Sequence, residues 1–238
     1  MSEGKGGSHW PAAVGGGLIG SVLTAAVLIL AAPQLIGPKL VRQGMLADPQ
    51  ILVDTSNALR DNQHEDVLAA YREPLETPFG SSWKGAEKPD VVLVEFFDYA
   101  CGYCRAANAD VDRLVAEDKG LRVVYREFPI LGPESVAAAR LSMAASRAGR
   151  FQQYYDAQFT AGRPSAESMT AAARSVGIPP TPGNDPAADA ELKRNYQLAQ
   201  QLGADGTPLF IVGNKVLNGA VGYDALKEAI AKARSTAS

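Results

Sequence analysis

Apolar residues change texture several times along this chain. Residues 10–38 carry no charged side chain, and the run from 15 to 37 is apolar over about 20 residues, enough for a helix to cross a bilayer core. Residues 50–73 follow a helical spacing instead. Ile51, Leu52, Ala58 and Leu59 form one apolar patch and Val67, Leu68 and Tyr71 a second, while the seam through Leu52, Thr55, Leu59, Asn62 and Asp66 turns polar halfway along. Asp48-Pro49 supplies an N-cap and a first-turn proline for this helix. Residues 74–89 are rich in Pro, Gly and Ser and read as a linker, with room for a short edge strand over 79–83.

At residue 90 the pattern becomes "DVVLVEFF", a continuous β-branched and aromatic run of strand length, as expected for a strand buried on both faces. A helix is predicted over 105–119, closed by Gly120, and a second strand over 121–129. Strand, helix, strand implies a right-handed crossover and a parallel pair. From 132 to 203 the chain turns to alanine-rich helix, predicted over 134–150, 151–161, 166–176 and 186–202, with Ser165 as an N-cap answered by Ser168. This block interrupts a sheet and reads as an insertion. The sheet resumes at 208–213, turns at Gly213-Asn214, and returns over 215–219 as a hairpin. An amphipathic helix over 223–233 closes the chain, with Leu226, Ile230 and Ala233 on one face.

The charge balance removes some functions. A formal net charge of −3 gives no basic footprint for nucleic acid. The two cysteines, Cys101 and Cys104, stand at the junction between the apolar strand and the helix, and no second pair exists to complete a structural zinc site. Two residues between the sulfurs suit a disulfide that opens and closes. Cys101 is placed at a helix N-terminus, where free backbone N–H groups and the helix dipole favour a thiolate. Cys104, one turn further in, is the buried resolving thiol of this reading. A purely structural bridge closing so short a loop constrains little of the unfolded chain.

With "FFDYACGYC", the helical insertion and Gly206-Thr207-Pro208 in view, the chain resembles the DsbA family of thiol:disulfide interchange proteins, over about 79–233. More narrowly, it is similar to the envelope branch whose members carry an N-terminal helix before the catalytic domain. The resemblance implies an α/β thioredoxin fold with an inserted helical subdomain, here preceded by a transmembrane helix and a stalk helix. It implies that Cys101 is the nucleophile and Cys104 its partner. It further implies a cis-proline loop at Thr207-Pro208 facing the site, and a buried acid, Glu95, that passes a proton to and from Cys104. Gly102 and Tyr103, between the sulfurs, complete the expected substrate-binding set with Thr207 and Pro208.

The expected organisation is a tail and anchor over 1–38, a stalk and linker over 39–76 with oligomerisation in view, and the catalytic domain over 77–235. The expected activity is thiol–disulfide exchange with substrate proteins, in the oxidase direction. An oligomeric isomerase or reductase is the alternative, and a soft-metal (copper) binder through two thiolates a more remote one. No cofactor and no metal are expected. The expected partners are cysteine-containing secreted or envelope proteins, a membrane redox partner and the lipid bilayer. Disulfide chemistry belongs to an oxidising compartment, which places the domain on the periplasmic side of the inner membrane behind a single uncleaved anchor. The cleavable signal peptide is disfavoured because Lys5 alone makes its basic region and Pro33 follows the candidate cleavage site.

Overall fold

In the computed structural model, which describes residues 37–237, the apolar run beginning at Val91 is the central strand of a five-stranded sheet. The strands are β1 (Trp83–Gly85), β2 (Val91–Phe97), β3 (Leu121–Glu127), β4 (Leu209–Val212) and β5 (Lys215–Asn218), in the order β1-β3-β2-β4-β5. The helices are α1 (Gly37–Ala47), α2 (Gln50–Glu76), α3 (Gly102–Glu117), α4 (Pro133–Arg147), α5 (Phe151–Ala161), α6 (Ala166–Ser175), α7 (Pro186–Gln201) and α8 (Tyr223–Ala237). β2 and β3 are the parallel pair that the crossover requires, with Val91 opposite Leu121 and Phe97 opposite Glu127. β4 runs antiparallel to β2, β5 to β4, and β1 to β3. This is the thioredoxin fold, and α4 to α7 are its helical insertion.

Alternation along β2 sorts its side chains to two covered faces. Leu93 and Phe97 join one core with Val111 and Leu114 of α3, Leu226 and Ile230 of α8, and the aromatic residues Phe151, Tyr154, Tyr155 and Phe159 of α5. Val94 and Phe96 join the opposite core with Leu198 and Leu202 at the end of α7 and with Leu68 and Leu75 of α2. The insertion is well punctuated. Ser165 caps α6 by accepting from the Ser168 N–H at 3.2 Å, and Ser168 Oγ accepts in return from the Ser165 N–H at 2.8 Å. Gly213 takes φ +54° in the hairpin turn, a left-handed value that favours glycine.

The chain divides into two compact units between Leu59 and Arg60. In the first, α1 buries no residue, and Leu40, Val41, Leu46, Ile51, Leu52 and Leu59 are exposed. The second holds the sheet, the insertion and the rest of α2.

Several expectations about the N-terminal part are corrected here. The segment read as a membrane anchor lies, but for its last residue, outside the described residues. Among those described, no helix is long and apolar enough to cross a membrane. α1 has only 11 residues and includes Lys39 and Arg42, and α2 carries acidic and basic residues along its whole length. The transmembrane helix, the inner-membrane single-pass placement, the bilayer as partner and the membrane redox partner are therefore not retained. Nor does a stalk helix precede the domain. α2 runs on through Pro74 to Glu76, and its second half is domain structure, with Leu68 at 1% and Leu75 at 2% exposure. Burying two leucines so completely is worth about 1.5–3 kcal/mol each, whereas a free oligomerising seam would hold Leu68 outside.

Candidate active site

The site begins where β2 stops. Phe97 is the last strand residue, residues 98–100 turn, and Cys101 is the N-cap of α3 with φ −81° and ψ 118°. Its sulfur accepts a hydrogen bond from the Cys104 N–H at 3.4 Å, the role an N-cap side chain plays for an unpaired donor of the first turn. Both cysteines are free thiols here, Cys101 at 6% exposure and Cys104 at 0%. Gly102 opens the helix with clear space where a Cβ would sit, and Tyr103 is exposed.

The two thiols are electrically unlike. The Cys101 thiol is lowered to about 5, chiefly because the Cys104 thiol donates to its sulfur, with help from Thr207 and from the backbone N–H groups of Cys104 and Tyr103, against the effect of burial. Burial pushes the Cys104 thiol far up, and its hydrogen bond to Cys101 and the nearby Glu95 add to this. Opposite them the Thr207–Pro208 bond is cis, and the Cys101 Sγ lies 3.2 Å from the Thr207 carbonyl oxygen. Only a protonated thiol can donate to that carbonyl. The Thr207 hydroxyl is buried and without a hydrogen-bond partner, and it is the Thr207 side-chain group able to donate to a thiolate.

Glu95 shares the face of Leu93 and Phe97, which puts a carboxyl inside the layer between the sheet and α3. It is fully buried and neither carboxyl oxygen has a hydrogen-bond partner. Burial, then the charges of Asp112 and Cys101, raise it to about 8, so it is mostly protonated at neutral pH. The structure thus gathers Cys101, Cys104, Glu95, Thr207 and Pro208 at one end of β2. Among the described residues, no group of three or more His, Cys, Asp or Glu is placed to hold a metal ion.

Other residues emerge only from the structure. Asp98 is buried at 1% exposure and accepts from the N–H groups of Ala100, Ile130 and Leu131. The Tyr99 hydroxyl donates to Ser142 of α4 at 2.8 Å, tying the turn to the insertion. Glu127, at the end of β3, is held well above the carboxylate range by burial, and its Oε1 is unpartnered. Arg126 is buried and ion-paired with Glu191 at 2.5 Å. It also donates to Asn195 and to the carbonyls of Pro74, Leu75 and Thr77 at the end of α2. The charged "YRE" inside an apolar strand was the one sequence signal that could have pointed to Arg126 and Glu127.

A cysteine pair with one thiol held low by hydrogen bonds and its partner pushed up by burial, carried on a thioredoxin fold, is the site of a thiol–disulfide oxidoreductase. Residues 92–231 match the DSBA-like thioredoxin domain, and the chain belongs to that family. A thioredoxin-like oxidoreductase from Silicibacter pomeroyi DSS-3 is 36% identical and superposes with a TM-score of 0.64 over 69% of this chain and 98% of its own. A periplasmic thioredoxin-like protein from Salmonella enterica serovar Typhimurium is 26% identical, with a TM-score of 0.64 over 70% of this chain and 97% of its own. The chain spans about a quarter of the length of the curated relatives it matches. One, the Na(+)/H(+) antiporter NhaA of Herminiimonas arsenicoxydans, is 32% identical over 159 residues, which make 64% of this chain and 25% of the antiporter.

Proposed function

We propose that the protein oxidises dithiols in cysteine-containing proteins outside the cytoplasm, the compartment named for the Salmonella relative. The observation that carries the direction is the low Cys101 thiol. A stabilised thiolate favours the reduced pair and leaves easily, so the disulfide form is a ready oxidant.

In this mechanism a substrate thiolate attacks the Cys101 sulfur of the Cys101–Cys104 disulfide. A substrate–Cys101 disulfide forms, and Cys104 departs as a thiolate that takes the Glu95 proton. The second substrate thiolate then attacks the substrate sulfur and Cys101 leaves, already ionised. Two electrons have passed to the pair, and an external protein or small-molecule disulfide restores it. Thr207 and Pro208 border the substrate beside Cys101, and an extended segment can pair with the Thr207 backbone by strand addition. Gly102 leaves the approach open, and Tyr103 offers an apolar rim.

Trapping the pair by alkylation in growing cells tests the direction. Mostly oxidised cysteines support the oxidase reading, and mostly reduced ones overturn it in favour of an isomerase or reductase. Cys101→Ala abolishes exchange, and retained turnover in that variant would sink the mechanism.

A further inference from the structure

At the end of β2 the Phe97 carbonyl turns to β3 and accepts the Phe128 N–H at 2.8 Å. Across the trans peptide that follows, the N–H of Asp98 therefore points away from β3. Pairing of β2 with β4 ends at Phe96 opposite Leu209, so this N–H lies past the last strand partner. The sulfur of Cys104 accepts it. The carbonyl of the same residue accepts the Cys101 N–H at 3.0 Å. The main chain of Asp98 thus meets both cysteines, one through each of its polar groups.

The Asp98 side chain is clamped as well. It is buried, Oδ1 accepts the Ala100 N–H at 2.7 Å, and Oδ2 accepts the N–H groups of Ile130 and Leu131, both at 2.9 Å. The loop that supplies this second pair is itself anchored, since the Pro129 carbonyl accepts the Tyr196 hydroxyl at 2.5 Å. Hydrogen bonds to a charged acceptor are among the stronger ones. Three of them fix the orientation of the residue whose N–H rests on Cys104.

We propose that Asp98 is a positioning residue whose carboxylate locks its own backbone N–H onto the sulfur of Cys104, so that this N–H stabilises the leaving thiolate when Cys104 is displaced from Cys101. This rests on the disulfide-exchange reading above and adds to it a residue for the first step. As the attacking sulfur bonds to Cys101, the Cys101–Cys104 bond breaks and its electron pair moves onto Cys104. That sulfur is at 0% exposure, so water does not solvate the new charge. A donor already in place meets it without reorganisation until the Glu95 proton arrives. The disulfide before the step and the protonated thiol after it draw far less from the same donor. The effect therefore falls on the rates, forward and reverse alike, and leaves the equilibrium where it was.

The test compares the full chain with Asp98→Asn, which sets an NH2 group against either the Ala100 N–H or the Ile130 and Leu131 pair and so opens the clamp. Reduced glutathione is mixed with the oxidised protein, and acid quenching with mass measurement gives the rate at which Cys104 is displaced. Closure of the Cys101–glutathione adduct by Cys104 gives the reverse rate, and glutathione buffers give the equilibrium. In Asp98→Asn both rates should fall about ten-fold, the low end for a hydrogen bond to a charged group, with the equilibrium unmoved. Unchanged rates overturn the proposal. So does a fall matched by a shift of the equilibrium, because Asp98 would then act on the resting state of the pair. Should Asp98→Asn not fold, amide exchange in the unaltered protein decides. Slow exchange at Asp98, Ile130 and Leu131 is expected, and exchange there at free-peptide rates refutes the clamp. If the unaltered oxidised protein does not react with glutathione at all, it is the underlying function that fails, a separate outcome.

Discussion

The sulfur of Cys101 lies 3.2 Å from the carbonyl oxygen of Thr207, a residue 106 positions away in sequence. That carbonyl is the acceptor of a thiol and a neighbour of a thiolate, so the contact changes character when Cys101 ionises. Its consequences can be read from the pH behaviour of the pair.

Alkylation of reduced protein should reach half its maximal rate near pH 5, where Cys101 ionises, with no second step below pH 10 because Cys104 stays protonated. Stability follows the same group. Between an ordinary thiol value near 9 and about 5, the unfolded chain holds a proton that folded Cys101 has lost. The reduced protein therefore gains stability as pH rises through that window, and the gain is lost as pH falls to 5. Urea midpoints of reduced minus oxidised protein should rise from pH 5 to pH 9. A flat difference contradicts the depressed thiol.

Glu95 has the opposite sign. Its raised pKa means that folded protein keeps a proton the unfolded chain loses between about 4.5 and 8, so stability falls with rising pH across that range. Glu95→Gln should remove the decline and leave the variant more stable than the parent at pH 9 by several kcal/mol, at ~1.4 kcal/mol per tenfold displacement of the equilibrium. Oxidation of substrates should slow together with this gain. A urea series at pH 4.5, 7 and 9, with stopped-flow turnover, checks both.

Asp112 is the largest charge acting on Glu95, and it is ion-paired to Lys84 at 2.5 Å. Asp112→Asn should move the Glu95 titration downward, with Asp112→Glu close to the parent. Carboxyl-labelled NMR reads it directly, and an unmoved titration shows that burial and Cys101, not Asp112, set Glu95.

Arg126 and Glu191 form a buried pair, and breaking it by Arg126→Met leaves Glu191 with Arg194 alone, at 3.4 Å, and strands three carbonyls at the end of α2. A loss of about 3–5 kcal/mol is expected from urea unfolding. The double change Arg126→Met/Glu191→Leu should recover part of it. No recovery would mean that the carbonyls of α2, and not Glu191, are what Arg126 serves.

Leu68→Ala tests whether α2 belongs to the domain. A residue at 1% exposure should cost about 2–5 kcal/mol on truncation, while a helix merely tethered to the domain would leave its unfolding midpoint unchanged.

What the sequence shows well is what periodicity and local chemistry encode. The run 91–97 is β-branched and aromatic, as a buried strand requires, CxxC stands at a strand–helix junction, and glycines and Ser165 mark the breaks of the insertion. The fold and the cysteine pair follow from these. Pairings between distant residues leave no such trace. Asp98 looks like any turn residue until Ile130 and Leu131 arrive from the next strand, 32 and 33 positions on. Arg126 looks like a surface charge until α2 and α7 close over it. The polar seam of residues 50–66 suggests a loose stalk because the leucines that dock α2, Leu68 and Leu75, lie further along, the second beyond Pro74. The helix runs on past Pro74 to Glu76, and Arg126 takes up the carbonyls of Pro74, Leu75 and Thr77 where it ends.

The burial of Cys104 also sets a clock. Once a substrate hangs from Cys101, there are two exits: its own second thiol can finish the bond, or Cys104 can attack Cys101 and return the substrate unchanged. The second exit needs a Cys104 thiolate, which burial makes scarce. The adduct is thus given a lifetime, and a chain whose partner cysteine is still far off has time to bring it near.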